Sequence, residues 1–305
     1  MTTTPPDLPE AAGRRLEEGA FTSALTVPDF AACLQMGLEP VGFVQGFCVM
    51  QWQWYGMGSP FGGLGRLGGL GVPYPGGTSG YSERWQCPHG FVSAEHRGWG
   101  QNYEQTWIED AWRTGFTSAY QRMIEEASAA GAHGVVGVFD ATEPLAGQNV
   151  LEFRVQGTAV SVSGGGLPAD GRPWTTYLAG QRLAKLIEAG YAPVSIAASV
   201  ASVRVWANCI TSYLTDGTSP MWAGQGAGIE IEQTAKAGMA VRRIARENVR
   251  SQLGGDSLHG ASMSASEREL GEGDAELQCI LRGNRVRRFK KFDPIPVPRP
   301  TVRLL

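Results

Sequence analysis

The pattern of apolar and polar positions predicts two long amphipathic helices. Apolar residues recur at spacings of three and four from Trp107 to Ala127, and this run stops before Gly131. A second run of the same kind extends from Ile231 to Leu253 and stops before Gly254. A glycine directly after the last apolar position is typical of a helix C-terminus.

Short strand-like runs flank each predicted helix. Residues 134–141 and 150–162 follow the first helix, and residues 257–265 and 276–289 follow the second. A further strand-like run precedes each helix. Each half of the chain is therefore predicted to contain a strand, a long helix and two strands, which makes the fold α+β, with each small sheet packed on one long helix.

The two halves are also related in sequence. Residues 21–46 align without a gap with residues 174–199, and Gly37 falls on Gly190 at the same offset as every other pair. Such an alignment predicts a duplicated structural unit. Punctuation by glycine and proline gives the boundaries: a polar leader (1–20), a first repeat (21–162) with a glycine-rich insertion at about 56–100, a linker (163–173), a second repeat (174–291) and a proline-rich tail (292–305).

The insertion in the first repeat is unusually rich in glycine. Residues 56–80 include eleven glycines, and ordering such a segment costs much conformational entropy. The insertion is therefore predicted to be either mobile or held by a partner protein or a neighbouring subunit. The proline-rich tail is a second candidate for such a contact.

Four groups of residues resemble the YbjQ-type "heavy-metal-binding" domains. The first repeat matches them with Gly42, Val44 and Gly46, with Arg113, Arg122 and Met123, with Gly131, Ala132 and Val135, and with Gly157, Thr158, Ala159 and Val160. The second repeat departs from the pattern, with Gly283, Asn284 and Arg285 in place of Gly-Thr-Ala. The resemblance implies a dodecin-like α+β subunit that assembles into pentameric rings.

The family's metal-binding label leads to one cluster in the insertion. Cys87, His89 and His96 lie close together in sequence, and zinc is commonly bound by Cys and His at short spacing. A structural zinc site needs four ligands, however, and only three are near each other. We therefore predict no cofactor, with zinc as the alternative.

No catalytic pattern is present in the sequence. A Gly-x-Ser-x-Gly elbow is absent. The glycine-rich run is followed by Pro73 and Pro75 rather than by the Lys-Ser/Thr pair of a phosphate-binding loop. The protein is therefore predicted not to be an enzyme.

Large aromatic side chains predict core or subunit-interface contacts, in preference to a platform for a ligand. Trp52 and Trp54 alternate onto one face of a strand, and Trp107 and Trp112 begin the first long helix. Arg242 aligns with Ala119 on the apolar stripe of the second helix, so the lateral contacts of the two repeats should differ.

A basic patch lies at the C-terminal end. Residues 282–305 contain eight basic residues against Asp293 alone, and the patch is centred on Arg285, Arg287, Arg288, Lys290 and Lys291. It could bind nucleic acid or another acidic partner, or dock on an acidic surface of a neighbouring subunit. The formal net charge of only −3 argues against nucleic acid as the partner of the whole chain.

Compartment and assembly complete the predictions. Five widely spaced cysteines, a leader without an apolar core and the absence of a long apolar run predict a cytoplasmic protein with no membrane span. We expect a non-enzymatic, self-assembling ring, scaffold or shell component. A homopentamer is predicted, with first repeats in one ring and second repeats in another. The alternatives are a metal- or small-ligand-binding stress protein and an anion or nucleic-acid binder that uses the basic segment.

Overall fold

The computed structural model describes residues 22–51, 85–86, 92–93, 100–144, 150–163, 171–215, 229–271 and 273–290. The predicted α+β class is confirmed, because these residues form five helices, two four-stranded sheets and one two-stranded sheet. None of the five helices is long and apolar enough to cross a membrane. The helices are α1 (Val27–Gln35), α2 (Thr106–Ala129), α3 (Gly180–Glu188), α4 (Cys209–Thr215) and α5 (Glu232–Gln252). The strands are β1 (Leu38–Gln51), β2 (Trp85–Gln86), β3 (Val92–Ser93), β4 (Gln101–Glu104), β5 (Gly134–Pro144), β6 (Val150–Val162), β7 (Trp174–Thr175), β8 (Tyr191–Trp206), β9 (Ser257–Gly271) and β10 (Asp274–Arg288).

The two four-stranded sheets share one arrangement. Their strand orders are β1-β6-β5-β7 and β4-β8-β10-β9. In each sheet the last strand of the repeat pairs antiparallel with the two strands that precede it in that repeat. The register recurs as well: Gly42 lies opposite Ala159, Ser195 lies opposite Arg285, and each pair adjoins a bulge. Each repeat thus contains a strand, a long helix and two strands, and its likeness to a dodecin-like subunit stays a prediction.

Two further helices precede these elements, and the sequence analysis did not predict them. Helix α1 begins after Thr26, whose hydroxyl accepts a hydrogen bond from the Asp29 N–H at 3.3 Å, and a proline lies in its first turn. Helix α3 occupies the aligned residues of the second repeat but has no side-chain N-cap. Leu183 and Cys33, one from each helix, are fully buried in the same apolar cluster. The two helices therefore join the repeats at one end.

Helix α2 packs closely on its own sheet. A side chain at Gly46 of β1 would overlap the carbonyl oxygen of Ala119 and approach the Met123 nitrogen to 2.6 Å. Only glycine allows the helix backbone this near the strand. Four small or apolar residues of α2 are buried in one stripe along the helix, namely Gly115, Ala119, Met123 and Ala127.

Helix α5 carries the corresponding stripe one residue away from the position that the sequence alignment predicts. Its buried residues at the same spacing are Ala237, Val241, Ala245 and Val249. Superposing the two stripes pairs Tyr120, rather than Ala119, with Arg242. The alignment was therefore wrong by one residue along the helix. The physical reason is the longer turn after α5, where Gly254 and Gly255 both adopt positive φ and take up the extra residue.

Replacing Gly46 with alanine should destabilise the fold by about 3 kcal/mol, because a backbone carbonyl cannot move aside as a flexible side chain can. The measurement is the free energy of unfolding in urea. Gly42→Ala on the same strand is the matched control, since a Cβ there meets no atom within 4 Å. Equal effects of the two substitutions would contradict the close approach.

Candidate functional site

Three sequence predictions fall wholly or partly beyond the described segments: the metal cluster, the interface and the basic patch. Cys87, His89, His96, Trp52, Trp54 and Lys291 all lie outside the described residues. Within the described residues no group of three or more His, Cys, Asp or Glu side chains could hold a metal ion. Four of the five cysteines lie in the described segments, and all four are buried.

The basic segment contacts an acidic residue that the sequence analysis did not assign to it. Asp256 accepts hydrogen bonds from Arg285 at 2.6 Å and from Arg287 at 3.0 Å. These bonds, that from Arg287 first, lower the pKa of the Asp256 carboxyl. Arg288 and Lys290 are exposed beyond this cluster. The sequence count missed Asp256 because it lies well before the segment in the chain.

The predicted interface residues that the structure describes lie in different places. Trp107 is half-buried at the start of α2, and Trp112 is buried between the two repeats. Arg242 lies on the exposed face of α5, where its Nη1 donates a hydrogen bond to the carbonyl oxygen of Gly238 at 2.7 Å. The structure therefore brings Trp112 into a contact inside the chain and leaves Arg242 at the surface.

An aromatic stripe on α2 forms the centre of the contact between the repeats. Trp112 stacks on Phe116 with ring centroids 4.9 Å apart, and Phe116 stacks on Tyr120 at 6.2 Å. Small and branched side chains of β8 complete the same apolar cluster, namely Ile196, Ala198 and Val200. Helix α2 is thus covered by its own sheet on one side and by the sheet of the second repeat on the other.

Each repeat also lends a short strand to the other repeat's sheet. Strand β7 of the second repeat pairs in parallel with β5, and β4 of the first repeat pairs antiparallel with β8. In the first exchange the Thr176 N–H donates to the carbonyl oxygen of Val135 at 3.0 Å, and the Val138 N–H donates to the carbonyl oxygen of Thr176 at 2.9 Å. These bonds cover a sheet edge that would otherwise be open to another strand.

A buried ion pair joins the two repeats. The Arg282 guanidinium binds Asp140 through Nε at 2.9 and 2.8 Å and through Nη2 at 2.7 Å. The Asp140 side chain is only 2% exposed, so this charge is satisfied by the other repeat rather than by water. The sequence held one signal for it: an aspartate inside the otherwise apolar run 134–141 requires a buried partner.

Glu109 is a second carboxylate at this contact. It accepts hydrogen bonds from the Ser202 N–H at 3.1 Å and from the Asn248 amide at 3.0 Å, both in the second repeat. Burial raises the pKa of the Glu109 carboxyl above its ordinary value, although these hydrogen bonds act in the opposite direction.

No protein-family model matches the chain, and no solved structure matches it significantly. The chain is similar to the encapsulin nanocompartment protein of Mycobacterium tuberculosis, with 26% identity over 247 residues. Those residues make up 80% of this chain and 76% of that protein, so the similarity extends over both repeats.

Removing the Asp140 carboxylate should destabilise the protein by about 3 kcal/mol, because Asp140→Ala leaves the Arg282 charge without its partner. Glu143→Ala on the same strand is the control. Glu143 pairs with Arg154 at 3.4 Å, its side chain is 62% exposed, and its loss should change stability by less than about 1 kcal/mol. Urea unfolding of both variants measures the difference, and similar small losses would contradict a buried pair.

The raised pKa of Glu109 predicts a pH dependence of stability. A carboxyl whose pKa is higher in the folded than in the unfolded protein stabilises the fold below the unfolded pKa, and this contribution is lost as pH rises through the folded pKa. Glu109→Gln should therefore reduce the decline of stability over the pH range that begins at the ordinary glutamate pKa of about 4 and extends upward. Urea unfolding across this range is the measurement, with Glu125→Gln at an exposed position of α2 as control. A decline unchanged by Glu109→Gln would contradict the assignment.

Proposed function

We propose that the protein is a non-enzymatic, self-assembling ring, scaffold or shell component of the cytoplasm. The similarity to an encapsulin nanocompartment protein supports this role, because the wall of a compartment requires many copies of a chain that bind one another. In this proposal each repeat acts as a YbjQ-like, dodecin-like subunit, and the two are linked in tandem.

The observation that carries the proposal is a group of exposed apolar side chains on the outer face of the sheet of the first repeat. Phe47, Val49 and Phe139 are 45%, 44% and 54% exposed there. The corresponding outer face of the second repeat is covered by α2 of the first repeat. A sheet face that is buried in one repeat and exposed in the other indicates a surface that another chain covers.

A ring accounts for this arrangement. The contact between the repeats joins two different surfaces, the outer face of a helix and the outer face of a sheet. Contacts of this kind, when repeated, form a ring if the rotation between neighbours divides a full turn and an open helical filament if it does not. The resemblance to YbjQ-type domains implies rings of five units, and the homopentamer is part of the proposal. Five chains supply ten repeats, which fill two rings of five when the repeats separate and one ring of ten when they alternate.

Of the two alternatives, metal binding stays a prediction and anion binding receives less support. The candidate ligands Cys87, His89 and His96 for a metal-binding role lie outside the described residues. For anion binding, Arg285 and Arg287 are already held by Asp256, which neutralises part of the basic segment.

Native mass spectrometry of the full chain at micromolar concentration tests the proposal. We expect assemblies whose masses are multiples of the 32.6 kDa chain, with five copies as the predicted species. A dilution series in the same buffer distinguishes stable assembly from weak association that occurs only at high concentration. A monomer or dimer alone would contradict the proposed function.

A further inference from the structure

Resting on the proposed assembly, we propose which surfaces join the chains and which repeats become neighbours. The exposed edge of β9 around Gly260, together with the outer face of α5, binds the Thr22–Leu25 segment and the outer face of β1 from a second copy of this chain. First and second repeats then alternate from one chain to the next.

The edge of β9 has the same backbone shape as the edge of β5, which the second repeat already occupies inside the chain. In β5, Gly137 adopts φ +60° at a bulge, and its N–H donates to the carbonyl oxygen of Leu178 at 3.0 Å. In β9, Gly260 adopts φ +61° at the aligned bulge. A positive φ is accessible mainly to glycine, so this bulge is a specified feature of both strands. Strand β9 lies at the sheet edge, and residues 259–270 are all exposed.

The proposed incoming segment is already held in the conformation that binds such an edge. In the second repeat, Asn284 accepts the Tyr177 N–H at 2.7 Å, and the Thr176 hydroxyl accepts the Leu178 N–H at 3.1 Å. The same two bonds occur in the first repeat, where Thr158 accepts the Ala24 N–H and Ser23 accepts the Leu25 N–H, each at 3.1 Å. The segment that follows Trp174 binds β5, so the Thr22–Leu25 segment is preorganised to bind β9.

The helix and strand faces of the proposed contact are complementary, because the large side chain lies on the strand instead of on the helix. Inside the chain the helix supplies the larger side chains and the strand the smaller ones, and Phe116 and Val200 belong to the same apolar cluster. At the aligned positions the helix has Gly238, which is buried beneath the Arg242 side chain, and the strand has the exposed Phe47. One turn further along each helix, Arg242 takes the place of Tyr120, and its guanidinium next to Gly238 lies where it could stack on an incoming ring.

These side-chain sizes favour a ring in which first and second repeats alternate over separate rings for each repeat. Phe116 is already covered by β8 inside the chain. A first repeat bound to another first repeat would have to open this contact and would then set the large side chains of Phe47 and Phe116 against each other. A second repeat bound to another second repeat would set Val200 against Gly238 and leave a cavity. The sequence analysis predicted separate rings because the two repeats differ in sequence. We propose instead that the repeats differ because each one binds the other kind of repeat.

The polar part of the contact also changes. Met263 and Gln156 occupy the positions that Asp140 and Arg282 occupy inside the chain. The contact between chains is therefore expected to lack the buried ion pair and to rest on backbone hydrogen bonds and on the packing of Phe47 against α5, where Arg242 and Arg246 are exposed.

The test moves the large side chain of the proposed contact from the strand to the helix. Gly238→Phe places a ring where the neighbour's Phe47 is proposed to pack. Gly238 is buried, and a Cβ at this position would lie 3.0 Å from the flexible end of Arg242 and 3.7 Å from a methyl group of Leu277. We expect the association constant to fall about tenfold or more in dilution-series native mass spectrometry, with the circular dichroism spectrum unchanged. Adding Phe47→Val recreates the Phe116 and Val200 pair and should restore assembly.

Two further variants test the same contact without changing position 238, so their results do not depend on whether the Gly238→Phe variant folds. Phe47→Asp alters only an exposed side chain and should also abolish assembly. Leu270→Asp changes an equally accessible side chain, 40% exposed, at the far end of β9 and should leave assembly intact.

The outcomes separate this inference from the proposed function. A wild-type protein that is monomeric defeats both. A wild-type protein that assembles, and whose Gly238→Phe and Phe47→Asp variants assemble equally well, defeats the proposed surfaces while the assembly role stands. Failure of Phe47→Val to restore the Gly238→Phe variant contradicts the pairing of these two positions.

Discussion

The structure depends on helix α2 being covered on two opposite sides. On one side the absence of a side chain at Gly46 lets the helix backbone approach β1, and the stripe from Gly115 to Ala127 is buried. On the other side Trp112 and Phe116 are covered by β8 of the second repeat. Apolar packing on both sides fixes the position of the second sheet relative to the first.

Helix α5 has only one of these two covers within the chain. Its stripe from Ala237 to Val249 is buried on its own sheet, whereas Arg242 and Arg246 on its other side are exposed. The chain thus contains one completed contact between repeats and the two separate halves of another. Because these halves belong to opposite ends of the chain, the simplest partner for each is a further chain.

The sequence allowed the periodic elements to be predicted, but not the contacts between them. The long helices end before Gly131 and Gly254 as expected, and β6 spans the predicted residues 150–162. The short strands β4 and β7 escaped notice because two to four residues carry no measurable periodicity. The Asp140 and Arg282 pair, and the one-residue displacement of α5, depend on how distant segments pack, which a single sequence does not record.

A cryo-electron microscopy reconstruction of the assembled protein tests the central claim most directly, because the order of the repeats around the particle can be read from the density. First and second repeats differ enough in their side chains and helix lengths to be told apart. The account predicts that they alternate, with residues 22–25 of one chain beside residues 257–261 of the next. Particles in which first repeats neighbour first repeats, or in which every β9 edge faces solvent, would contradict it.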